Sequence, residues 1–174
     1  NDSPLHNANE IRGVGTYTKF LAQNLRKNKG LQLVFALDKD LSFRPEIVHY
    51  PFFDLFLPTL PLIKRGKTIV TIHDVIPLLY KKYYPVGKKG QLALVKQKLA
   101  LRGVDAVITD SSNSKTDIAK YLNFPLEKIY VIFLAANPGL KKASAEEIAR
   151  VSKKYKLPKK YLLYVGDINY NKNI

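Results

Sequence analysis

An apolar run, Thr68-Ile-Val-Thr-Ile-His-Asp-Val-Ile-Pro77, ends abruptly in a histidine and an aspartate before the chain turns at proline. Histidine changes charge near neutral pH, and a carboxylate beside it can hold its ring. Ligands of open α/β sheets gather at the carboxyl ends of strands, which is where His73 and Asp74 would sit. The plainer alternative is a histidine satisfied by a backbone carbonyl, with Asp74 capping the next turn. A second segment, Arg12-Gly13-Val14-Gly15, stands where a helix begins. Glycines there let a ligand approach the backbone N–H groups at the positive end of the helix dipole, which suits a phosphate. A tight turn remains the alternative, because no third glycine completes a dinucleotide fingerprint. The third segment, Asp110-Ser-Ser-Asn-Ser-Lys115, is a polar strand-to-helix loop whose hydroxyls could do no more than cap the helix. A fourth is cationic, from Lys88 to Arg102 beside Tyr83 and Tyr84. It reads either as a solvated face or as a surface for a membrane or polyanion.

These segments need elements to position them. The spacing of Val14, Tyr17, Leu21 and Leu25 predicts an amphipathic helix over residues 14–28, ending near Gly30. Strands are predicted at Leu31–Leu37, Ile47–Tyr50, Ile69–Ile72, Ala106–Thr109, Ile129–Ile132 and Tyr161–Val165. An aromatic, proline-punctuated loop runs through Phe52, Phe53, Phe56, Pro58 and Pro61. Between strands, one helix should carry Leu92, Val95 and Leu99 inward and Lys96, Lys98 and Arg102 outward. Ser114 with Asp117 predicts a capping box for a helix burying Ile118, Tyr121 and Leu122; Ser144 with Glu147 predicts another. Strands alternating with helices at this spacing give an α/β, Rossmann-like parallel sheet with helices on both faces. The sequence opens on loop-like Asn1–Glu10 and a helix, so the first strand of such a series is not in it.

With 174 residues, 46% of them hydrophobic, the chain can build one substantial core. No apolar run approaches the roughly 18–20 residues that cross a bilayer, and the start lacks a signal-peptide pattern, so a soluble, intracellular protein is expected. The absence of cysteine excludes disulfides and thiolate chemistry, and His6, His49 and His73 show no metal-ligand spacing. Twenty-nine basic against 14 acidic residues give a net charge of +15, which favours polyanionic partners. There is no methionine, and the chain ends at Asn173-Ile174 just after a predicted strand, so a fragment is expected.

The glycine segment, His73-Asp74 and the serine-rich loop would share one rim of the sheet, and their order is familiar. The chain resembles the amino-terminal half of family-four retaining glycosyltransferases with the GT-B architecture, two Rossmann-like domains facing across a cleft. Gly13-Val-Gly-Thr-Tyr-Thr-Lys-Phe-Leu21 is similar to the glycine loop and first helix. Thr71-Ile-His-Asp-Val-Ile-Pro-Leu78 with Tyr84-Pro85 resembles the His-Asp segment, Thr109–Asp117 the serine-rich loop, and Ile129–Asn137 the closing strand. Tyr161–Asn173 resembles the opening of the second domain. The resemblance implies an acceptor-side domain over residues 1–140, an interdomain helix and linker over 141–160, and a second domain beginning at 161–174.

It also implies transfer of a hexose from a nucleotide-sugar donor to an acceptor hydroxyl with retention, without a cofactor or metal. Gly13, Val14, Gly15 and Ser112 would line the donor side, and Lys172 would support the departing diphosphate. His73 would face the donor sugar as the catalytic group, with Asp74 orienting it or the loop. Likeness to mannosyltransferases favours GDP-mannose over a UDP-hexose. The acceptor is expected to be a polysaccharide or lipid-linked glycan, met in the cytoplasm and at an anionic membrane surface. Ala135 and Ala136 stand where relatives tend to carry a glycine, and Asp167 where a basic residue is frequent, so weaker donor-phosphate binding is implied. The nucleotide pocket would lie past Ile174, leaving this chain inactive alone. Two rival classes remain at this point: a basic α/β nucleic-acid module and a noncatalytic partner subunit. The aromatics stand in apolar contexts rather than interleaved with basic residues, which disfavours nucleic acid.

Overall fold

A computed structural model describes residues 1, 3–5, 12–36, 43–137 and 139–174. Most of the expected Asn1–Glu10 loop, and Leu37, lie outside them. The described residues form two compact units, Asn1–Phe133 and Leu134–Ile174.

The first unit holds a four-stranded parallel sheet in the order β1 (Ile47–Tyr50), β2 (Lys67–Thr71), β3 (Ala106–Thr109) and β4 (Ile129–Val131). Helices α1 (Gly13–Leu25), α2 (Ile76–Leu79), α3 (Lys88–Leu101) and α4 (Ser112–Leu122) accompany it. The α/β, Rossmann-like class is therefore as the sequence predicts. One register row runs through Tyr50, Val70, Val107 and Ile129, each paired with its neighbour and each buried. In-register residues of parallel strands share a face, so this row is the spine of the core, completed by Ile118 and Leu122 of α4. Burying each such aliphatic side chain contributes about 1.5–3 kcal/mol.

The opposite face carries His49, Ile69 and Thr71, because side chains alternate along a strand. Helix α1 lies on that face, since the Tyr17 hydroxyl is 3.2 Å from Thr71 Oγ1. His49 Nε2 reaches the same Oγ1 at 2.9 Å. Burial pushes the His49 pKa down to about 4 from an ordinary 6.5. The unfolded chain therefore binds this proton between those values while the native state does not, and stability falls as pH drops through that window. We expect urea unfolding to show about 2 kcal/mol less stability at pH 5 than at pH 7.5 from this group. His49→Asn should flatten that part of the slope; an unchanged slope would place the titration elsewhere.

Four sequence expectations are corrected. Residues 31–36 form no strand, and Tyr161–Val165 form none either. A strand exists through its partner's hydrogen bonds, and among the described residues neither stretch has one, so Leu162 and Val165 stay open to solvent. Helix α3 is turned differently from its leucine spacing: Leu92, Val95 and Leu99 are exposed, while Gln97, Ala100 and Leu101 are buried. Gln97 sets that rotation. Its Nε2 donates to the Asp54 carbonyl at 2.8 Å and lies 2.7 Å from Thr59 Oγ1, and its Oε1 accepts from Leu60 N–H at 3.3 Å. A buried amide that satisfies a loop's backbone outweighs the pull of leucines that have nothing to pack on. Finally, α4 is capped one turn earlier than expected, by Ser111, whose Oγ accepts from Ser114 N–H at 3.1 Å.

The second unit contains α5 (Ala145–Tyr155), capped as expected by Ser144, whose Oγ accepts from Glu147 N–H at 3.2 Å. A single 3-10 turn follows at Tyr170–Lys172.

Candidate active site

His73 and Asp110 follow the carboxyl ends of adjacent strands. Thr71 pairs with Ile108 in the register, and Ile72 N–H still donates to the Ile108 carbonyl at 2.9 Å. Two residues further on, His73 and Asp110 stand side by side, and His73 Nδ1 lies 2.6 Å from Asp110 Oδ2. An ionised carboxylate only accepts, so Nδ1 carries the hydrogen and the other ring nitrogen, Nε2, is left to meet something else. Both side chains are about one-fifth exposed, at 22% and 20%. Their remaining polar atoms, His73 Nε2 and Asp110 Oδ1, are nonetheless shielded from solvent and have no hydrogen-bond partner among the described residues. Such an atom costs about 1–3 kcal/mol, so the pair holds an unmet demand for hydrogen bonds.

Helix α1 supports the ring from one side. The Tyr17 ring meets His73 edge-on, with centroids 5.0 Å apart and planes at 89°. Burial raises the Tyr17 pKa, a direction its bond to Thr71 opposes and the nearby Asp110 charge reinforces, so its hydroxyl stays protonated. Tyr17 lies one turn beyond Gly13, so α1 meets the end of β2 and His73 through its second turn. Arg12 precedes that turn and its side chain makes no cap hydrogen bond. Gly13 itself is exposed, Val14 half-buried and Gly15 buried. A Cβ built on Gly13 would meet no atom within 4 Å, so the fold does not demand glycine there. Gly13→Ala should leave stability unchanged or slightly higher, alanine being the better helix former. If a ligand uses that space, the same change should raise its KM roughly tenfold, equivalent to about 1.4 kcal/mol; an unaltered KM would leave the glycine without a ligand role.

The other expected site residues are placed as follows. Asp74 does not touch His73: its Oδ1 accepts from Ile76 N–H at 2.9 Å, on the exposed approach to α2. Ser112 opens α4 on its exposed side, while the adjacent Ser111 does the capping. Lys172 is exposed in the 3-10 turn of the second unit. The sequence marks the Asp110 loop as polar but does not mark Asp110 as the partner of His73. The available signal was the alignment of Thr-Ile-His with Val-Ile-Thr-Asp on neighbouring strands. Among the described residues no three His, Asp or Glu side chains group as metal ligands would.

The profile of Glycosyltransferase Family 4 matches residues 2–138. The chain belongs to this family. Escherichia coli serotype-specific mannosyltransferase WbdA is 31% identical over 111 residues, covering 62% of this chain and 14% of that protein. The O-antigen chain mannosyltransferase B of Escherichia coli is 27% identical over 136 residues, covering 76% of this chain and 33% of the relative. The chain thus spans a third or less of the length of these curated relatives. No solved structure matches it significantly. In this family-4 domain the matched region contains α1, the whole sheet and the His73–Asp110 pair.

Proposed function

We propose that the chain is the acceptor-side part of a retaining mannosyltransferase that moves mannose from GDP-mannose to a glycan or lipid-linked acceptor. The observation that carries this reading is the His73–Asp110 pair, held at the sheet's carboxyl edge with Nε2 unmet among the described residues and Tyr17 of α1 beside it. Both mannosyltransferase relatives support the choice of sugar.

In this mechanism the N–H groups at Gly13, Val14 and Gly15 meet the donor diphosphate at the positive end of α1. Ser112 adds a hydroxyl to the same side. His73 Nε2 hydrogen-bonds the donor sugar, and Asp110 fixes the tautomer and balances charge as the glycosidic bond breaks. Asp74 orients the loop after β2 by holding Ile76 N–H. The departing diphosphate needs fixed positive charge, which in this reading is supplied by a lysine, the role the family resemblance gives Lys172, and not by a metal ion. Because Nε2 is shielded, donor binding must move aside the groups that cover it. The work is done in the cytoplasm, at an anionic membrane surface where a lipid-linked acceptor is presented.

A histidine paired with a carboxylate could instead act as a general base on the acceptor hydroxyl. A base activating an acceptor on the far face of the sugar gives inversion, as the geometry of displacement requires. The deciding experiment is transfer by the full-length protein across a panel of nucleotide sugars in excess EDTA, with the anomeric configuration of the product read by NMR. Retention with GDP-mannose is expected. Inversion would reassign His73 as a base, and no transfer from any donor would remove the enzyme reading in favour of a noncatalytic subunit or binding module.

A further inference from the structure

We propose that the outer face of α3, with the groove at its carboxyl end, docks on an anionic phospholipid bilayer. Leu92, Val95 and Leu99 are spaced by three and four residues, so they form one stripe along the helix, and they are 57%, 55% and 45% exposed. Gln97 and Leu101 occupy the inward face, so this stripe has no place in the core.

The stripe continues into a cavity of about 560 Å³ lined by Val95, Leu99 and Phe124 together with Lys98, Arg102 and Lys128. Residues 75–104 contain seven lysines and arginines and not one aspartate or glutamate. Lys98, Arg102 and Lys128 form no ion pair among the described residues. The combination selects the occupant. Nucleic acid would match the cations but leave three leucine-class side chains against water, and an apolar protein surface would leave the cations unmatched. A bilayer interface accepts both, with phosphates for the cations and the acyl boundary for the stripe.

The placement also suits an enzyme. Helix α3 ends just before β3 begins, and Asn123–Lys128 lead directly into β4, so the groove lies at the amino edge of the sheet. His73 and Asp110 stand at the carboxyl edge, which such docking leaves open. The proposal rests on the reading of a membrane-borne acceptor, and it names the surface that meets the membrane.

The test is flotation of the full-length protein with vesicles of phosphatidylcholine alone or with about one-third phosphatidylglycerol. Wild-type protein should float only with the anionic vesicles. Each basic residue near a charged surface strengthens binding about fivefold, so the triple change Lys98→Glu, Arg102→Glu, Lys128→Glu should lower the partition coefficient at least tenfold. Leu92→Ser with Leu99→Ser should do so comparably, with the melting temperature unchanged because both side chains are exposed. Binding that survives both sets of changes, or no flotation by wild type, would overturn the proposal. Inorganic phosphate that abolishes flotation at constant ionic strength would assign the groove to a soluble anion instead, and equally overturn it. Flotation does not depend on transfer, so a protein that floats yet transfers no sugar would end the transferase reading alone.

Discussion

His73→Ala in the full-length protein should lower turnover by about 10²- to 10³-fold, which is the usual cost of removing one preorganised donor or acceptor from a site of developing charge. That loss corresponds to about 2.7–4 kcal/mol in the barrier. The fold should survive, since the register row of Tyr50, Val70, Val107 and Ile129 lies on the other face of the sheet. Some stability is lost because Asp110 is left without its 2.6 Å partner. The readout must therefore be turnover at saturating donor, alongside circular dichroism to verify folding. Near-normal turnover in a folded variant would make the histidine a structural group at a strand end.

The second large effect separates two carboxylates. Asp110→Asn keeps an oxygen near Nδ1 but removes the charge that steadies the ring, and turnover should fall about tenfold to a hundredfold. Asp74→Asn should change turnover less than about threefold, since its oxygen only holds Ile76 N–H and an amide oxygen can do the same. Measuring both in one assay decides which acid acts through His73. A larger loss at Asp74 would contradict the pairing across β2 and β3 and return the sequence-adjacent carboxylate to that role.

The contrast shows what a linear chain can reveal. Strands β2 and β3 are legible because each is a short apolar run closed by polar residues, at His73-Asp74 and at Thr109-Asp110, whereas β1 and β4 are legible from the β-branched and aromatic residues of Ile47–Tyr50 and Ile129–Val131. The convergence of the His73 segment and the Asp110 loop is legible too, because strand-to-helix loops of a parallel sheet share one edge. Asp110 is not legible as a partner, because adjacency in space comes from register, which spacing along one strand does not contain. Asp74 looked the better candidate only because it is next in sequence. Helix α3 misled for a related reason: its leucines have the right period, but one buried amide, Gln97, chose another face. Residues 31–36 and 161–165 have strand composition without a strand neighbour among the described residues, and composition does not supply a partner.

The most direct measurement is a structure of the full-length protein with intact GDP-mannose or a nonhydrolysable analogue. His73 Nε2 should be uncovered and within about 3.2 Å of a sugar oxygen, with Asp110 still on Nδ1 and diphosphate oxygens on the first N–H groups of α1. A mannose seated away from His73, with Nε2 still shielded or bonded to another protein group, would contradict this.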